Sequence, residues 1–303
     1  MSSPTASSPT LFSLDQHPLL APLCERLQGV TGNIETRQFP DGETYLRVVT
    51  PVAGANCVVV TNLVNPNDKF LPLLFLLGTL RELGAKSVGL VAPYLCYMRQ
   101  DKRFHEGEAL TSRLFAQALS QHMDWLVTVD PHLHRYHTLN DVYSVSTQRV
   151  EGAHALAHWL RGQQSLLLVG PDAESEQWVA QVAVDSGHPY VIGTKQRHGD
   201  RDVDIHLPDL SGYQTRKAVI IDDVIASGQT ILQCLRALKS RGIAKVSCAA
   251  VHGIFADSVD HTLLQSGLEQ LVTCNTIPHS TNSIDITPQL LPAINACLHG
   301  APV

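Results

Sequence analysis

The sequence lacks the two glycine-rich signatures that most often hold nucleotides. It contains neither a G-x-x-x-x-G-K-[ST] loop nor a G-x-G-x-x-G fingerprint, so any nucleotide must be bound by other groups. It also lacks a C-x-x-C pair. The seven cysteines are scattered, which favours buried, reduced thiols in a cytoplasmic protein. No apolar run approaches the length of a membrane span, and the longest, residues 70–77, contains Pro72.

Excess positive charge is absent as well. The formal net charge is −6, which argues against a general nucleic-acid binder and requires local cations or a metal for any anionic ligand. Hydrophobic residues make up 44% and charged residues 17% of the 303 residues, a composition typical of a globular protein large enough for two domains. Residues 1–10 are rich in Ser and Pro without a basic region and an apolar core, and they predict a loose tail.

Short apolar runs alternate with helical patterns along the whole chain, which predicts an α/β fold with mostly parallel sheets flanked by helices. The predicted strands are residues 57–61, 87–92, 125–129, 165–169, 190–193, 218–221 and 246–251. The predicted helices are residues 68–83, 111–122, 150–160, 175–186 and 230–241.

The pattern occurs twice. We match strands at residues 58–61, 91–93 and 126–130 with strands at residues 166–172, 191–194 and 219–222, because the third strand of each series ends in Asp. This predicts two similar domains, residues 11–147 and 148–303. Under this matching the first half has lost its phosphate loop, since residues 131–137, directly after Asp130, contain no glycine.

Residues 218–231 carry the most informative pattern. Four apolar residues predict a buried strand that ends at Asp222 and Asp223, and a small-residue turn then leads into a helix. Loop N–H groups and hydroxyls at a helix N-terminus bind phosphate, while paired carboxylates accept ribose hydroxyls or face hydrated Mg²⁺. The pattern therefore predicts a site for a phosphorylated sugar.

Other motifs leave two interpretations open. Phe39-Pro-Asp-Gly-Glu43 is typical of a plain turn between strands. The basic segment 99–103 is either a solvated loop or a clamp for a polyphosphate. His132, His134 and His137 are surface or core histidines, zinc ligands, or partners of Mg²⁺ together with carboxylates. Asp172 follows a buried strand, as ligand groups do in open α/β sheets. Lys195 and Arg197 are either surface cations or phosphate contacts.

Taken in order, these motifs resemble those of ribose-phosphate diphosphokinases, which are built from two tandem type I phosphoribosyltransferase-like domains. The resemblance covers residues 35–285. It implies a transfer of diphosphate from ATP to C1 of ribose 5-phosphate, giving 5-phosphoribosyl 1-diphosphate and AMP for nucleotide biosynthesis. It also implies Mg²⁺ as cofactor, a homo-oligomer in the cytoplasm, and neither nucleic acid nor membrane as partner.

The resemblance assigns roles residue by residue. Lys195 and Arg197 would be catalytic, and His132 and Asp172 would position the metal. ATP would be bound by Phe39, Asp41, Gly42, Glu43, Arg99 and Gln100, with the first four contributed across a subunit interface. Ribose 5-phosphate would be bound by Arg197, Asp222, Asp223, Ala226, Ser227, Gly228, Gln229 and Thr230.

The chain departs from the family pattern at Ala226, where many members carry a third Asp. Its end follows the family poorly and is closer to the shorter, archaeal-like members. Two alternatives remain: a phosphoribosyltransferase that uses the sugar diphosphate as donor, and a non-catalytic paralogue that assembles with an active enzyme. The presence of Lys195, Arg197, His132 and Asp172 argues against the second.

Overall fold

The structure is a computed structural model that describes residues 8–197 and 203–300, with residues 196, 197, 203 and 204 described by their backbone alone. It divides into two compact units. The first comprises the chain up to Val150 together with the chain from Thr287, and the second is Glu151–Ile286. No helix within the described ranges is long and apolar enough to cross a bilayer.

The first unit is built on a parallel sheet whose strand order is β2-β1-β5-β6-β7-β8, with β3 and β4 forming a separate antiparallel hairpin. Its strands are β1 (Thr10–Phe12), β2 (Val30–Thr31), β3 (Ile34–Gln38), β4 (Thr44–Val48), β5 (Asn56–Val60), β6 (Ser87–Ala92), β7 (Trp125–Val129) and β8 (Ser146–Val150). Its first helices are α1 (Leu20–Arg26), α2 (Asn67–Glu82) and α3 (Thr111–Ser120). Every residue of β5 is buried, as expected of an apolar run in a parallel sheet covered on both faces.

The second unit repeats this architecture with the strand order β10-β9-β13-β14-β15-β16 and a separate hairpin of β11 and β12. Its helices are α4 (Ala153–Leu160), α5 (Glu176–Ser186), α6 (Gln229–Ser240) and α7 (Val259–Gln265). Its strands are β9 (Leu166–Gly170), β10 (Tyr190–Ile192), β11 (Thr194–Arg197), β12 (Val203–His206), β13 (Lys217–Ile225), β14 (Val246–Gly253), β15 (Gln270–Cys274) and β16 (Asn282–Ile284). The predicted α/β class with two mostly parallel sheets is confirmed.

The strand-by-strand matching of the two halves is wrong. Position by position, β5 of the first sheet corresponds to β13 of the second, whereas β7 corresponds to β15. The sequence matched β7 with β13, because the three-residue strand β1 was not among the predicted strands. The counterpart of the loop after β13 is therefore the segment after β5, residues 61–66, and not the segment after Asp130.

The last helix, α8 (Thr287–His299), belongs to the first unit, where it packs on β7, β8 and α1. The sequence placed this segment in the second domain. Leu290 and Ile294 lie fully buried on one face of α8, and an apolar stripe on a helix can be buried against any sheet that accepts it. Its distance along the chain from β8 concealed the pairing.

The predicted boundaries need two further corrections. The predicted tail of residues 1–10 is too long. Strand β1 begins at Thr10, and the side chains of Pro9 and Thr10 are buried. The first unit extends through β8 to Val150 instead of ending at residue 147. Ser146 and Thr147, at the predicted boundary, begin the edge strand β8, which pairs with β7.

Candidate active site

The acidic pair lies within strand β13 and not beyond its end. Strand β9 accompanies β13 only along residues 217–220, whereas β14 pairs with it as far as Ile225. The predicted strand end at residue 221 is therefore wrong, because the long strand β14 supplies hydrogen-bond partners for residues 222–225 as well. Asp222 and Asp223 consequently project past the end of β9, at the carboxyl edge where parallel sheets bind ligands.

Asp222 is in an unfavourable electrostatic environment for a carboxylate. Burial, followed by the charges of Asp223 and Asp172, raises the pKa of Asp222 well above its ordinary value. One of its oxygens accepts a hydrogen bond from the backbone N–H of Asp223 at 3.0 Å. A ligand that brings positive charge or hydroxyl donors to this edge would relieve the repulsion.

The small-residue loop after β13 has the shape of a phosphate cradle. Gly228 caps α6 with φ +67°, a conformation that L side chains rarely adopt, and a Cβ at this position would lie 2.6 Å from Cγ2 of Val259. The carbonyl of Ala226 accepts from the backbone N–H of Ala256 at 3.0 Å. Ser227 and Gln229 are exposed, and Thr230 is half-buried.

Two of the predicted residues meet on this edge of the second unit. Asp172 follows β9 and caps the next turn by accepting from the backbone N–H of Ser175 at 3.2 Å. Nζ of Lys195, on β11, lies 4.0 Å from Oδ2 of Asp172. The charge of Asp172 acts on Asp222 as well, so these groups form one cluster. The side chain of Arg197 lies outside the described residues.

The predicted nucleotide turn in the first unit is the loop of the β3–β4 hairpin, as its Pro-Asp-Gly residues predict. Phe39 donates its backbone N–H to the carbonyl of Glu43 at 2.8 Å, and Gly42 takes φ +90° at the tip. The guanidinium of Arg37 lies 4.6 Å from the ring centres of both Phe39 and Tyr45. The exposed aromatic ring is available to stack on a planar ligand.

Two other predicted groups follow neighbouring strands of the first sheet. Arg99 and Gln100 come after β6, where the side-chain oxygen of Gln100 accepts from the Thr111 hydroxyl at 2.9 Å. His132 comes after β7, and its ring lies 4.6 Å from that of His134 in an edge-to-face arrangement. Across residues 8–197 and 203–300, no group of three or more His, Cys, Asp or Glu side chains is arranged to hold a metal. The geometry gives the zinc interpretation no support.

The first unit also contains a cavity of about 250 Å³ that the sequence did not predict. It lies beside the β3–β4 hairpin and the start of α2, and Thr61 on its wall belongs to the segment that corresponds topologically to the loop after β13. Its lining comprises Leu14, Asp15, Thr36, Arg37, Gln38, Thr44, Thr61, Asp68, Lys69 and Pro72.

Comparisons with known proteins decide the family. Residues 10–122 match the family model of the N-terminal domain of ribose phosphate pyrophosphokinase, and residues 144–264 match the phosphoribosyl transferase domain. A ribose-phosphate pyrophosphokinase from Methanopyrus kandleri is 32% identical over 90% of this chain and 93% of its own length. That from Saccharolobus solfataricus is 32% identical over 84% and 87%.

The chain belongs to the ribose-phosphate pyrophosphokinase family. Its fold agrees with this membership: phosphoribosylpyrophosphate synthetase from Mycobacterium smegmatis superposes with a TM-score of 0.83 at 23% identity, covering 97% of this chain and all of that one. The predicted resemblance is thereby confirmed.

Asp172, Asp222 and Asp223 bring hard oxygen donors, the kind that Mg²⁺ prefers, to one strand edge of the second unit, although the described side chains do not form a metal-binding group. Burial, followed by the charges of Asp223 and Asp172, raises the pKa of Asp222. Lys195 offsets part of this charge from 4.0 Å away. Of the two predicted metal residues, His132 lies in the first unit and Asp172 in the second.

Sequence reasoning missed the side chains that contact Gln100 and Asp101 from other parts of the first unit. Nη1 of Arg135 donates to Oδ1 of Asp101 at 2.7 Å. The hydroxyl of Ser112 donates to the carbonyl of Gln100 and contacts the hydroxyl of Tyr136, both at 3.0 Å. The partners are separated by 12 to 34 residues, so no local pattern marks them.

Proposed function

We propose that this protein is a ribose-phosphate diphosphokinase, which transfers the β,γ-diphosphoryl group of ATP to the C1 hydroxyl of ribose 5-phosphate. The products are 5-phosphoribosyl 1-diphosphate and AMP, a step that feeds nucleotide biosynthesis in the cytoplasm. Membership of the family supports this activity. The structural observation that carries it is the grouping of Lys195 and three carboxylates beside a glycine-capped loop in the second unit.

Ribose 5-phosphate takes its place on that edge. The backbone N–H groups of residues 226–230 and the hydroxyls of Ser227 and Thr230 hold its phosphate at the N-terminus of α6. Asp222 and Asp223 accept hydrogen bonds from the ribose hydroxyls, which provide the donors that a crowded carboxylate pair needs. With both ends of the sugar held, its C1 hydroxyl remains available for the reaction.

The nucleotide is held by residues of the first unit. Arg99 and Gln100 contact the phosphates, and the hairpin tip, including Phe39, Asp41, Gly42 and Glu43, lines the base pocket of a neighbouring subunit in a homo-oligomer. Mg²⁺ would neutralise phosphate charge, and the residues assigned to position it are His132 in the first unit and Asp172 in the second. Phosphoryl transfer needs chiefly positioning and charge stabilisation, which such a set supplies.

Lys195 acts on the transferring group. As O1 of the sugar gives up its proton to water and bonds to the β-phosphorus, the bond from that phosphorus to the α-phosphate oxygen breaks and AMP leaves. Negative charge builds on the oxygens of the reacting phosphates. An ammonium group near that position stabilises this charge. Its contact with Asp172 holds Lys195 at the edge before substrate arrives, and Arg197, on the same strand, adds a second cation.

The test is AMP formation measured with each component omitted in turn. We expect AMP only when ATP, ribose 5-phosphate and Mg²⁺ are all present. Folded protein that forms no AMP under these conditions contradicts the proposal. Release of pyrophosphate from 5-phosphoribosyl 1-diphosphate and a nucleobase would instead identify a phosphoribosyltransferase.

A further inference from the structure

Two loops of the first unit carry the groups assigned to the nucleotide and the metal. Arg99 and Gln100 open the loop of residues 99–108, here called the arginine loop, and His132 stands at the start of the loop of residues 131–137, the histidine loop. Each follows a different strand, β6 or β7, and neighbouring parallel strands bring the two loops to the same edge. The side chains between these loops have no assigned role in the function proposed above.

An ion pair between the loops joins a buried carboxylate to a half-exposed arginine. Nη1 of Arg135 donates to Oδ1 of Asp101 at 2.7 Å, and the Asp101 side chain is 2% exposed whereas that of Arg135 is 45% exposed. The Arg135 guanidinium also lies 5.7 Å from the ring centre of Phe104. A carboxylate removed from water is costly unless it is paired, so the arginine loop keeps this position because Arg135 is there.

A second connection runs through α3. The Ser112 hydroxyl donates to the carbonyl of Gln100 and contacts the hydroxyl of Tyr136, both at 3.0 Å, while the Thr111 hydroxyl donates to the Gln100 side chain at 2.9 Å. Ser112 is 1% exposed and Tyr136 9% exposed. Gln100 is therefore held by its main chain and its side chain, and one of these contacts leads directly into the histidine loop.

We propose that Arg135 and Tyr136 are positioning residues for the nucleotide. They clamp the arginine loop to the histidine loop, so that Arg99 and Gln100 meet the ATP phosphates at a fixed place relative to His132. The clamp acts through Asp101 and Ser112 and makes no contact with ATP itself. This proposal rests on the proposed function, since it concerns how the same nucleotide site is built.

The first test compares Arg135→Met, Asp101→Asn and the double variant by steady-state kinetics. We expect each single variant to raise KM for ATP at least about tenfold, because misplacing a binding group by an ångström is costly, while KM for ribose 5-phosphate stays within about twofold. The double variant should resemble the worse single variant, since both act through one contact. Arg135→Lys should recover part of the loss, and Tyr136→Phe should show a smaller rise.

A direct contact between Arg135 and ATP predicts a different result. In that case the effects of Arg135→Met and Asp101→Asn would add in the double variant, and the clamp would be rejected. Arg81→Met is the matched control, because Arg81 forms a 2.9 Å ion pair with Asp124 in the same unit and its side chain is also 45% exposed. Its KM for ATP should equal that of the wild type.

The second test does not depend on activity. Hydrogen exchange of the folded protein should show faster exchange in residues 99–108 and 131–137 together in Arg135→Met, and no change in either loop in Arg81→Met. Unchanged exchange in both loops of Arg135→Met overturns the clamp, whatever the kinetics. If wild-type protein forms no AMP, the proposed function fails while exchange still decides whether the clamp exists. If Arg135→Met does not fold, hydrogen exchange of the two loops is measured in Asp101→Asn and Arg135→Lys instead.

Discussion

Lys195 is the residue whose chemistry depends most on its surroundings. It stands on a hairpin strand, 4.0 Å from Asp172 and near Asp222, whose pKa is raised by burial and then by the charges of Asp223 and Asp172. An ammonium group in such a setting is attracted to the cluster in the free protein and to phosphate oxygens once substrate binds. Its role is therefore separable from nucleotide binding, which the proposal assigns to the first unit.

Replacing Lys195 tests that separation. We expect Lys195→Ala to lower kcat by about 10²–10³-fold, the usual cost of losing one charge-stabilising group, while ATP binding measured by calorimetry persists. Lys217→Ala is the control, because Lys217 is a similarly exposed lysine of the same unit paired with Glu269 at 3.9 Å. Equal turnover in Lys195→Ala and wild type would remove Lys195 from the reaction.

Asp222 makes the second prediction at this scale. Because the folded-state pKa of Asp222 is raised, ionisation of its carboxyl group destabilises the folded protein relative to the unfolded chain. This destabilisation is absent below the unfolded pKa of about 3.9 and reaches its full size above the folded pKa. Asp222→Asn should therefore increase the free energy of unfolding at pH 7.5 by about 1–2 kcal/mol, as relieved functional sites often do. The gain should shrink as the pH falls toward 4.

Denaturant unfolding across pH measures this effect, and Asp209 provides an opposite control in the same unit. Hydrogen bonds from the side chain and backbone of Ser211 lower the pKa of Asp209, so its charge stabilises the fold above the unfolded pKa and that stability is lost as the pH falls. Asp209→Asn should lower stability at pH 7.5. The same direction for both variants would contradict the electrostatic assignment of Asp222.

At the scale of elements, the loop between β13 and α6 depends on a backbone conformation that glycine permits. Gly228→Ala combines a positive φ with a Cβ placed 2.6 Å from Val259, so we expect a loss of about 1–3 kcal/mol in unfolding free energy and a higher KM for ribose 5-phosphate. Gly187→Ala is the control that separates the backbone strain of a positive φ from the steric clash of an added Cβ. Gly187 ends α5 with φ +77° and nothing within 4 Å of its Cβ position, so it should lose stability without a change in KM.

At the scale of the whole molecule, α8 returns to the first unit after the second has been completed. Leu290 is fully buried in α8, so Leu290→Ala should cost about 2–5 kcal/mol and lower hydrogen-exchange protection in β7 and β8. Leu263→Ala, equally buried on α7, should lower protection in the second unit instead. Protection lost only in the second unit by Leu290→Ala would contradict the division of the chain.

Local patterns predicted most elements and the type of most site residues. Strands such as β6 and β7 were placed with their observed bounds, and the turn at Phe39 follows from its Pro-Asp-Gly residues, because short-range sterics decide such features. The end of β13 was misplaced because its pairing partner lies on β14. The contact of Asp101 with Arg135, 34 residues away, has no local signal at all.

Neighbours along the chain encode the α/β class, the family and the residue types of the loop after β13, because periodicity, turn chemistry and motif order are local properties. Tertiary structure alone decided the strand order that relates the halves, the assignment of α8, the cluster of Asp172, Lys195 and Asp222, and the clamp at Arg135. Each of these depends on which distant groups meet in space, and charge, burial and hydrogen bonding act over ångströms irrespective of chain distance.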